Sequence, residues 1–568
     1  MKELVFALST LLPLPNASAP PRFDVILEGG RVVDGTGAPW FVADVGVRDG
    51  KIAAIGRLNG LPSGRRIDAR KLVVAPGFID LLGWSEYFLL VDGRAASKIT
   101  QGITTEVTGE GASIAPLNDR MIADDKEFYA RWGVTPNWRS LAGYFDELER
   151  RGTAINVGTL VGSGGVRDLV IGKQNRTAAN DELARMKTIV EQAMREGALG
   201  VSSSLQYIPN IYSSTEELSA LAKVAAKYGG VYFTHQRSES SRIDASMEEV
   251  FTIAREAQIR TQIWHLKTAY APNFGRMPEI LKKIEDARAS GLDVSANQYP
   301  YDRAANDLDA CLPPWVREGG REKLLSRLKE KATREKVKAD MANASADWEN
   351  QYLGAGGPAG VLVASVLDPK LERYRGKTIA QIAQEEKKDP RDALIDLVIA
   401  DRANTGCIIS IMDEKDVRAA LAHPLVSFCT DHSARAADGP LAKTGSHPRG
   451  WGSAARILGK YVRDEKLLTL EEAVRKMTSF AAEAAGLTDR GILKVGFAAD
   501  IAVFDPETVK DVATFEDPER YSEGFRYVLV NGVPVVDEGK ITGAKPGKPL
   551  RGPGYQPWRP AQPSPIPR

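Results

Sequence analysis

The middle of this chain repeats one pattern: a short β-favouring run, a loop, and in most repeats an amphipathic helical stretch. Eight such runs stand in order, at Gly77–Asp80, Thr104–Thr108, Asn156–Val161, Leu199–Ser203, Val231–His235, Thr261–His265, Asp293–Gln298 and Ser427–Asp431. Between them, Asp181–Glu196, Thr215–Lys227, Met247–Ala257 and Met277–Ala289 carry apolar residues at helical spacing. Parallel strands need a crossover, and helices on the outer face supply it, so this order predicts an α/β fold, a (β/α)8 TIM-like barrel. The seventh connection is too long for one helix. It holds a charged amphipathic stretch, Arg321–Met341, and a glycine-rich loop, Gly354–Gly360. An insertion at about 310–375 that caps the barrel mouth is expected.

Both ends read differently from the middle. DVILEGGRVVDGTG and ADVGVRDGKIAAIG near the start, with turn signals at Asp34-Gly35 and Asp49-Gly50, match DIAVFD and YVLVNGVPVVDEGK near the end, with a turn at Asn531-Gly532. Residues 22–75 and 487–550 are therefore expected to form one small β-sandwich, with the barrel at 76–486. The Pro- and Gly-rich tail beyond Pro546, including 551–568, reads as extended or disordered.

Composition narrows the class of function. The 568 residues carry 75 basic and 74 acidic side chains, a net charge of +1, with no basic excess of the kind that marks nucleic-acid binding. Cys311, Cys407 and Cys429 have no Cys-x-x-Cys spacing, which argues against a disulfide framework or zinc knuckle. No stretch beyond the N-terminus is apolar and long enough to span a bilayer. Residues 1–21 resemble an export signal: Lys2, an apolar run from Leu4 to Leu14, and Ala17-Ser18-Ala19 as a cleavage site, against which stand Glu3, Pro13 and Pro15. Periplasmic or secreted location in a bacterium is expected, or cytoplasmic if the leader is not a signal. A homo-oligomer is compatible with the chain.

Barrel active sites lie at the C-terminal ends of the strands. There the chain places Glu110 after strand two, Ser163 after strand three, and His235, His265 and Asp431 at the ends of strands five, six and eight. Two histidines and two carboxylates from different strands can converge on one divalent cation, and zinc accepts such ligands while leaving a position for water. Of the five histidines, His423 in Ala422-His423-Pro424 reads as structural, and His432 and His447 have no role from spacing.

From here the chain resembles the N-acyl-D-amino-acid deacylase (D-aminoacylase) branch of the amidohydrolase superfamily. The resemblance rests on VVAPGFID, GITTEVTGEGASIAP, EGALGVSSSLQYIP, FTHQRSES, WHLKTA, NQYPY, SHPRGWGSAARILGKYVR, LTLEEAVRKMTSFAAEAAGL, DRGILKVGFAADIAVFD and GKPLRGPG, in order from about Asp24 to Pro553. It implies that His235 and His265 are metal ligands and Asp431 the catalytic carboxylate. Three departures stand out. Leu82 and Trp84 replace the family's His-x-His pair after Pro-Gly-Phe-Ile-Asp; Glu110 replaces a cysteine; and Ser163 stands in for a Gly-His-Gly histidine. The expected site is one zinc held by Glu110, His235 and His265, with Asp431 moving a proton from water to the leaving nitrogen of a linear amide. The resemblance implies that Lys267 and Tyr299 grip the carboxylate or support the carbonyl of an N-acyl (D-)amino acid or related dipeptide. Arg237 and Arg449 are further anion-binding candidates, and Trp84 is a candidate wall of the acyl pocket. Two alternatives are a hydantoinase-like cyclic amide hydrolase, opposed by the missing His-x-His and carbamylated lysine, and an inactive barrel that only binds.

Overall fold

The computed structural model describes residues 22–343, 348–445 and 447–557; the leader at 1–21 and the end of the Pro-rich tail lie outside them. All eight expected runs become parallel barrel strands: Phe78–Asp80, Ile103–Thr108, Asn156–Thr159 continuing as Val161–Gly162, Gly200–Ser204, Val231–His235, Thr261–Ile263, Val294–Gln298 and Val426–Phe428. They pair in chain order, and a parallel bridge between Gly83 and His432 joins the last strand to the first. The helices Asn180–Glu196, Thr215–Lys227, Ile243–Ala257 and Met277–Ala289 cover the outside. Their apolar faces set the outer core, in which Met247, Val250, Ile280 and Ile284 pack on Ile263, Val294 and Ala296. A separate inner core fills the barrel with Ile79, Val107, Leu160, Leu199, Val231, Phe233 and Trp264.

The two chain ends do form one β domain. Val73–Pro76 runs antiparallel to Ile501–Phe504, with Ala75 opposite Ala502, inside a nine-stranded sheet. Val25, Leu27, Val45 and Val47 share a core with Ile501, Val503 and Leu529. The chain then enters the barrel through Gly77, where an added Cβ would sit 2.1 Å from Thr104 Oγ1. No side chain fits there against the second barrel strand.

The insertion is wider than 310–375. Its sheet takes Ala304–Asp307, Val361–Ser365 and Gly406–Ile409, the last in the middle and antiparallel to both. A sheet closed by strands from both flanks cannot stop at 375. Its own core includes Leu308, Leu324, Leu328, Val337, Leu394 and Ile411. Ala304, Asn306, Gln351 and Ile409 face the barrel cavity, so the insertion roofs the mouth. The stretch after Pro546 is extended and hydrogen-bonded beneath the barrel: Gly547 N donates to Thr153 O at 2.8 Å, Leu550 N to Val157 O at 2.8 Å and Gly552 N to Gly197 O at 2.9 Å. Disorder is not its state as far as residue 557. Among the described residues no helix is long and apolar enough to cross a membrane.

Candidate metal centre and substrate cavity

Strand alternation aims the first ligand. Val231 and Phe233 point into the inner core, and side chains two apart share a face, so His235 points the same way at the strand's open end. Strand six works otherwise. Ile263 faces the outer helices and Trp264 the barrel interior, and the strand ends at Ile263, short of the expected His265. His265 takes a left-handed backbone, φ 34°, and its amide donates to Asn297 Oδ1 at 2.7 Å. That turn, not alternation, brings its ring to His235. Strand eight likewise ends at Phe428 rather than at Asp431. Asp431 also has positive φ, 49°, and its amide donates to Leu82 O at 2.9 Å. Left-handed backbone at non-glycine residues is costly, and it persists where surrounding structure enforces it, often at functional sites.

Glu110 follows strand two in a turn flanked by glycines. At Gly111, φ 63°, an added Cβ would lie 2.3 Å from Ser204 Cβ. Glu110 Oε1 is 2.8 Å from His235 Nδ1 and 3.6 Å from His265 Nε2, and it accepts from Ser204 Oγ at 3.1 Å. The two imidazoles stand edge to face, centroids 4.4 Å apart. Each of the three residues offers one ligand atom, and these atoms lie within 4.8 Å of one another. All three side chains are buried, yet Glu110 Oε2 and His235 Nε2 have no hydrogen-bond partner. Buried polar atoms are costly when unpaired, and an imidazole nitrogen beside a carboxylate oxygen is a donor set that suits zinc. These residues fit a divalent cation. Burial pushes the Glu110 carboxyl up, but the two histidines outweigh burial and hold it well below the usual carboxylate range. Burial and Lys267 oppose a proton on His265, yet Asp431, Glu110 and Glu239 raise it to about 9.

Glu239 is a residue that strand-end reasoning missed. It lies four residues past His235, buried, with Oε1 2.7 Å from Lys267 Nζ and 3.1 Å from His265 Nδ1. A carboxylate on the far nitrogen of a ligating histidine orients the ring and raises its basicity. The clue was present in FTHQRSES, whose glutamate follows the ligand histidine by one helical turn's spacing. Lys267 is therefore a buried cation rather than a surface lysine. Burial disfavours its charge, and Glu239 outweighs burial.

The cavity beside this cluster has a volume of about 670 Å³ and is lined by Trp84, Glu110, His235, His265, Lys267, Tyr299, Asp431 and Arg449 among others. Tyr299 is fully buried, and burial pushes its phenol up to about 12. Arg449 lies over its ring at 4.6 Å and forms an ion pair with Asp431, Nη1 2.7 Å from Oδ2, while its buried Nε and Nη1 make no hydrogen bond. The indole of Trp84 donates from Nε1 to Asp431 Oδ1 at 3.1 Å. Trp84 thus touches Asp431 as well as walling the cavity. Arg237 does not belong to the cavity. It pairs with both oxygens of Glu249 at 2.8 Å and donates to Ile211 O and Ser213 O; its donors tie the helix Ile243–Ala257 to the turn at Ile211–Ser213.

The other residues that the sequence singled out have structural roles. Leu82 is buried in the inner core. Ser163 opens the helix Ser163–Val170 and bonds Asn210. His423 lies 3.0 Å from Glu285 and accepts from Leu425 N. His447 contacts Arg303 O through Nε2 and accepts from Arg449 N at Nδ1, 3.0 Å each, which sets the backbone that carries Arg449.

Comparison with known proteins places the chain in a family. Residues 417–536 match the model of the "Amidohydrolase family". A D-aminoacylase of Alcaligenes xylosoxydans xylosoxydans is 35% identical over 532 residues, 93% of this chain and 97% of that protein. The crystal structure of N-acyl-D-glutamate deacylase from Bordetella bronchiseptica, complexed with zinc and a phosphonate mimic of the tetrahedral intermediate, superposes with a TM-score of 0.78 at 32% identity, over 94% of this chain and all of that one. A D-aminoacylase whose binuclear metal centre shows one-metal activation and second-metal attenuation superposes with a TM-score of 0.76 at 33% identity, over 93% of this chain and all of that one. The chain belongs to the D-aminoacylase branch of the metal-dependent amidohydrolases.

Proposed function

We propose that this protein hydrolyses the linear amide of an N-acyl-D-amino acid, using one zinc ion. The observation that carries this reading is the buried Glu110–His235–His265 cluster, with Glu110 Oε2 and His235 Nε2 unpartnered, beside a cavity that also presents Asp431, Lys267 and Arg449. When bound, zinc would supply Lewis acidity toward the scissile carbonyl and acidify the attacking water.

The chain's own residues do the rest. Asp431 takes the proton of the attacking water on its carboxylate and passes it to the leaving nitrogen. Arg449, through its free Nε, and Lys267 bind the substrate carboxylate by charge-assisted hydrogen bonds. Tyr299, kept protonated by burial, supports the site as a neutral ring under the guanidinium. Glu239 fixes His265. Cyclic amides are the weaker reading, since the relatives that match over the full chain are a D-aminoacylase and deacylases of N-acyl-D-glutamate and N-acyl-D-aspartate. The leader at 1–21 is proposed to direct export.

The test is elemental analysis of the purified protein beside Glu110→Ala and His235→Ala, followed by a panel of N-acyl-D- and N-acyl-L-amino acids. About one zinc per chain, lost in both variants, with D-selective release of the acyl group, is the expected result. Zinc saturation without hydrolysis of any amide would leave a binding protein.

A further inference from the structure

Asp431 is surrounded by donors on a chain that has lost the histidine pair of its family. Both of its oxygens are engaged: Oδ1 accepts from Trp84 Nε1 at 3.1 Å, and Oδ2 forms an ion pair with Arg449, 2.7 Å from Nη1. One of those partners is a full positive charge. Leu82, two residues before Trp84, is packed with Ile79, Val107, Trp264 and Tyr299 and offers no ligand atom. The nearby carboxylates of strands one and two are also engaged: Lys98 Nζ is 2.7 Å from Asp80 and 3.1 Å from Glu106. Among the described residues, the one group of His, Cys, Asp or Glu in position to hold a metal is Glu110, His235 and His265.

A second cation next to Asp431 would need oxygen or nitrogen lone pairs, and would meet instead a guanidinium and an indole N–H. Indole is a donor only, and two positive centres competing for one carboxylate repel each other. We propose that the Trp84 N–H and the Arg449 guanidinium, one by a hydrogen bond and the other by charge, occupy both oxygens of Asp431, so that the site works with a single metal and lacks second-metal attenuation. Trp84 is then a positioning residue that acts through Asp431. The solved D-aminoacylase with a binuclear centre and second-metal attenuation is the contrasting case. This inference rests on the reading of Glu110, His235 and His265 as a metal site.

The experiment uses the full chain, stripped of metal and titrated with zinc. Bound zinc is measured by elemental mass spectrometry after desalting, and hydrolysis is followed in excess zinc. The expected result is one equivalent bound and a rate that stays flat up to about ten equivalents, since a lone metal already suffices. Trp84→Phe keeps the ring and removes the donor. It should still bind one zinc and lose about tenfold in kcat with KM little changed, the signature of a lost hydrogen bond to a charged catalytic group. Two equivalents in the wild type, attenuation by excess zinc, or an unchanged kcat in Trp84→Phe would each overturn the proposal. If the wild type binds no zinc at all, the metal reading itself fails, a distinct result. Should Trp84→Phe not fold, the stoichiometry and zinc tolerance of the wild type still decide.

Discussion

Two buried charged clusters sit near the barrel mouth, and they are built on opposite principles. In one, Asp80 and Glu106 enclose the ammonium of Lys98, which also donates to Thr430 Oγ1 and His432 O at 2.7 Å. Ser85 fills the remaining demand of Glu106 through its amide and hydroxyl, at 3.0 and 2.8 Å. All three charged side chains are inaccessible to solvent. In the other, Glu110, His235 and His265 face a cavity and leave two buried polar atoms unpartnered. Composition alone does not separate them, since each has carboxylate and nitrogen. What differs is whether every buried polar atom of the cluster has a partner. A cluster in which each does is closed and structural; one in which some do not has a place for a ligand.

That contrast can be broken most directly at the ligands. His235→Ala or Glu110→Ala should abolish zinc binding and lower kcat/KM by about a thousandfold or more, while the metal-free protein loses less stability than Lys98→Met does. An equal loss of metal-free stability would make the two clusters alike. Conversely, Lys98→Met should leave zinc stoichiometry intact in the folded fraction but destabilise the chain by about 3–5 kcal/mol, because two buried carboxylates lose their cation. Urea unfolding measures this, and a neutral result would mean that Lys98 is not the keystone of the closed cluster.

Protons sharpen the comparison further. The carboxylates around the open cluster raise His265 to about 9, and a ligating imidazole must be neutral. Zinc affinity, measured by competition with a chelator, should therefore weaken as pH falls below 9, by roughly tenfold per unit while that one proton is displaced. Affinity independent of pH between 7 and 9 would remove His265 from the ligand set. The smallest effect is expected next to the closed cluster. Burial, and then Glu106, push the Glu86 carboxyl up to about 8. Its folded pKa lies above the unfolded value of about 4.3, so its contribution to stability is complete in acid and is lost as pH rises through 8. Glu86→Gln should melt a few degrees above the wild type at pH 9 and show a smaller difference at pH 6. Parallel melting curves would show that the Glu86 carboxyl is not held protonated.

Much of this was open to reading in the chain. Eight β-favouring runs with helical stretches between most of them became eight barrel strands, because each run's alternation and each helix's apolar stripe are set by neighbours a few residues apart. His235 was legible for the same reason, two residues beyond Phe233 on an inward face. Arg237 and Arg449 were not distinguishable, since both follow motif residues and both are buried or partly buried arginines. Glu249 and two carbonyls absorb the first, while Asp431 and Tyr299 hold the second. No local signal separates them. The insertion's extent was missed because its sheet pairs Val361–Ser365 with Gly406–Ile409 across an intervening helical stretch, and sequence spacing does not reveal that partner.

The amino-acid sequence by itself determined the strand order, the joining of both ends in one β domain, the set of metal-capable residues and the non-ligating side chains of Leu82 and Trp84. Each of these is a property of residue type or of short-range period. Only the tertiary structure decided how His265 and Asp431 turn into the cavity, that Glu239 backs His265 and Lys267, and that Trp84 donates to Asp431. The reason is that left-handed backbone at two strand ends and hydrogen bonds between distant segments exist only once the barrel closes, when contacts 347 residues apart, such as Trp84 with Asp431, outweigh the local preferences of the chain.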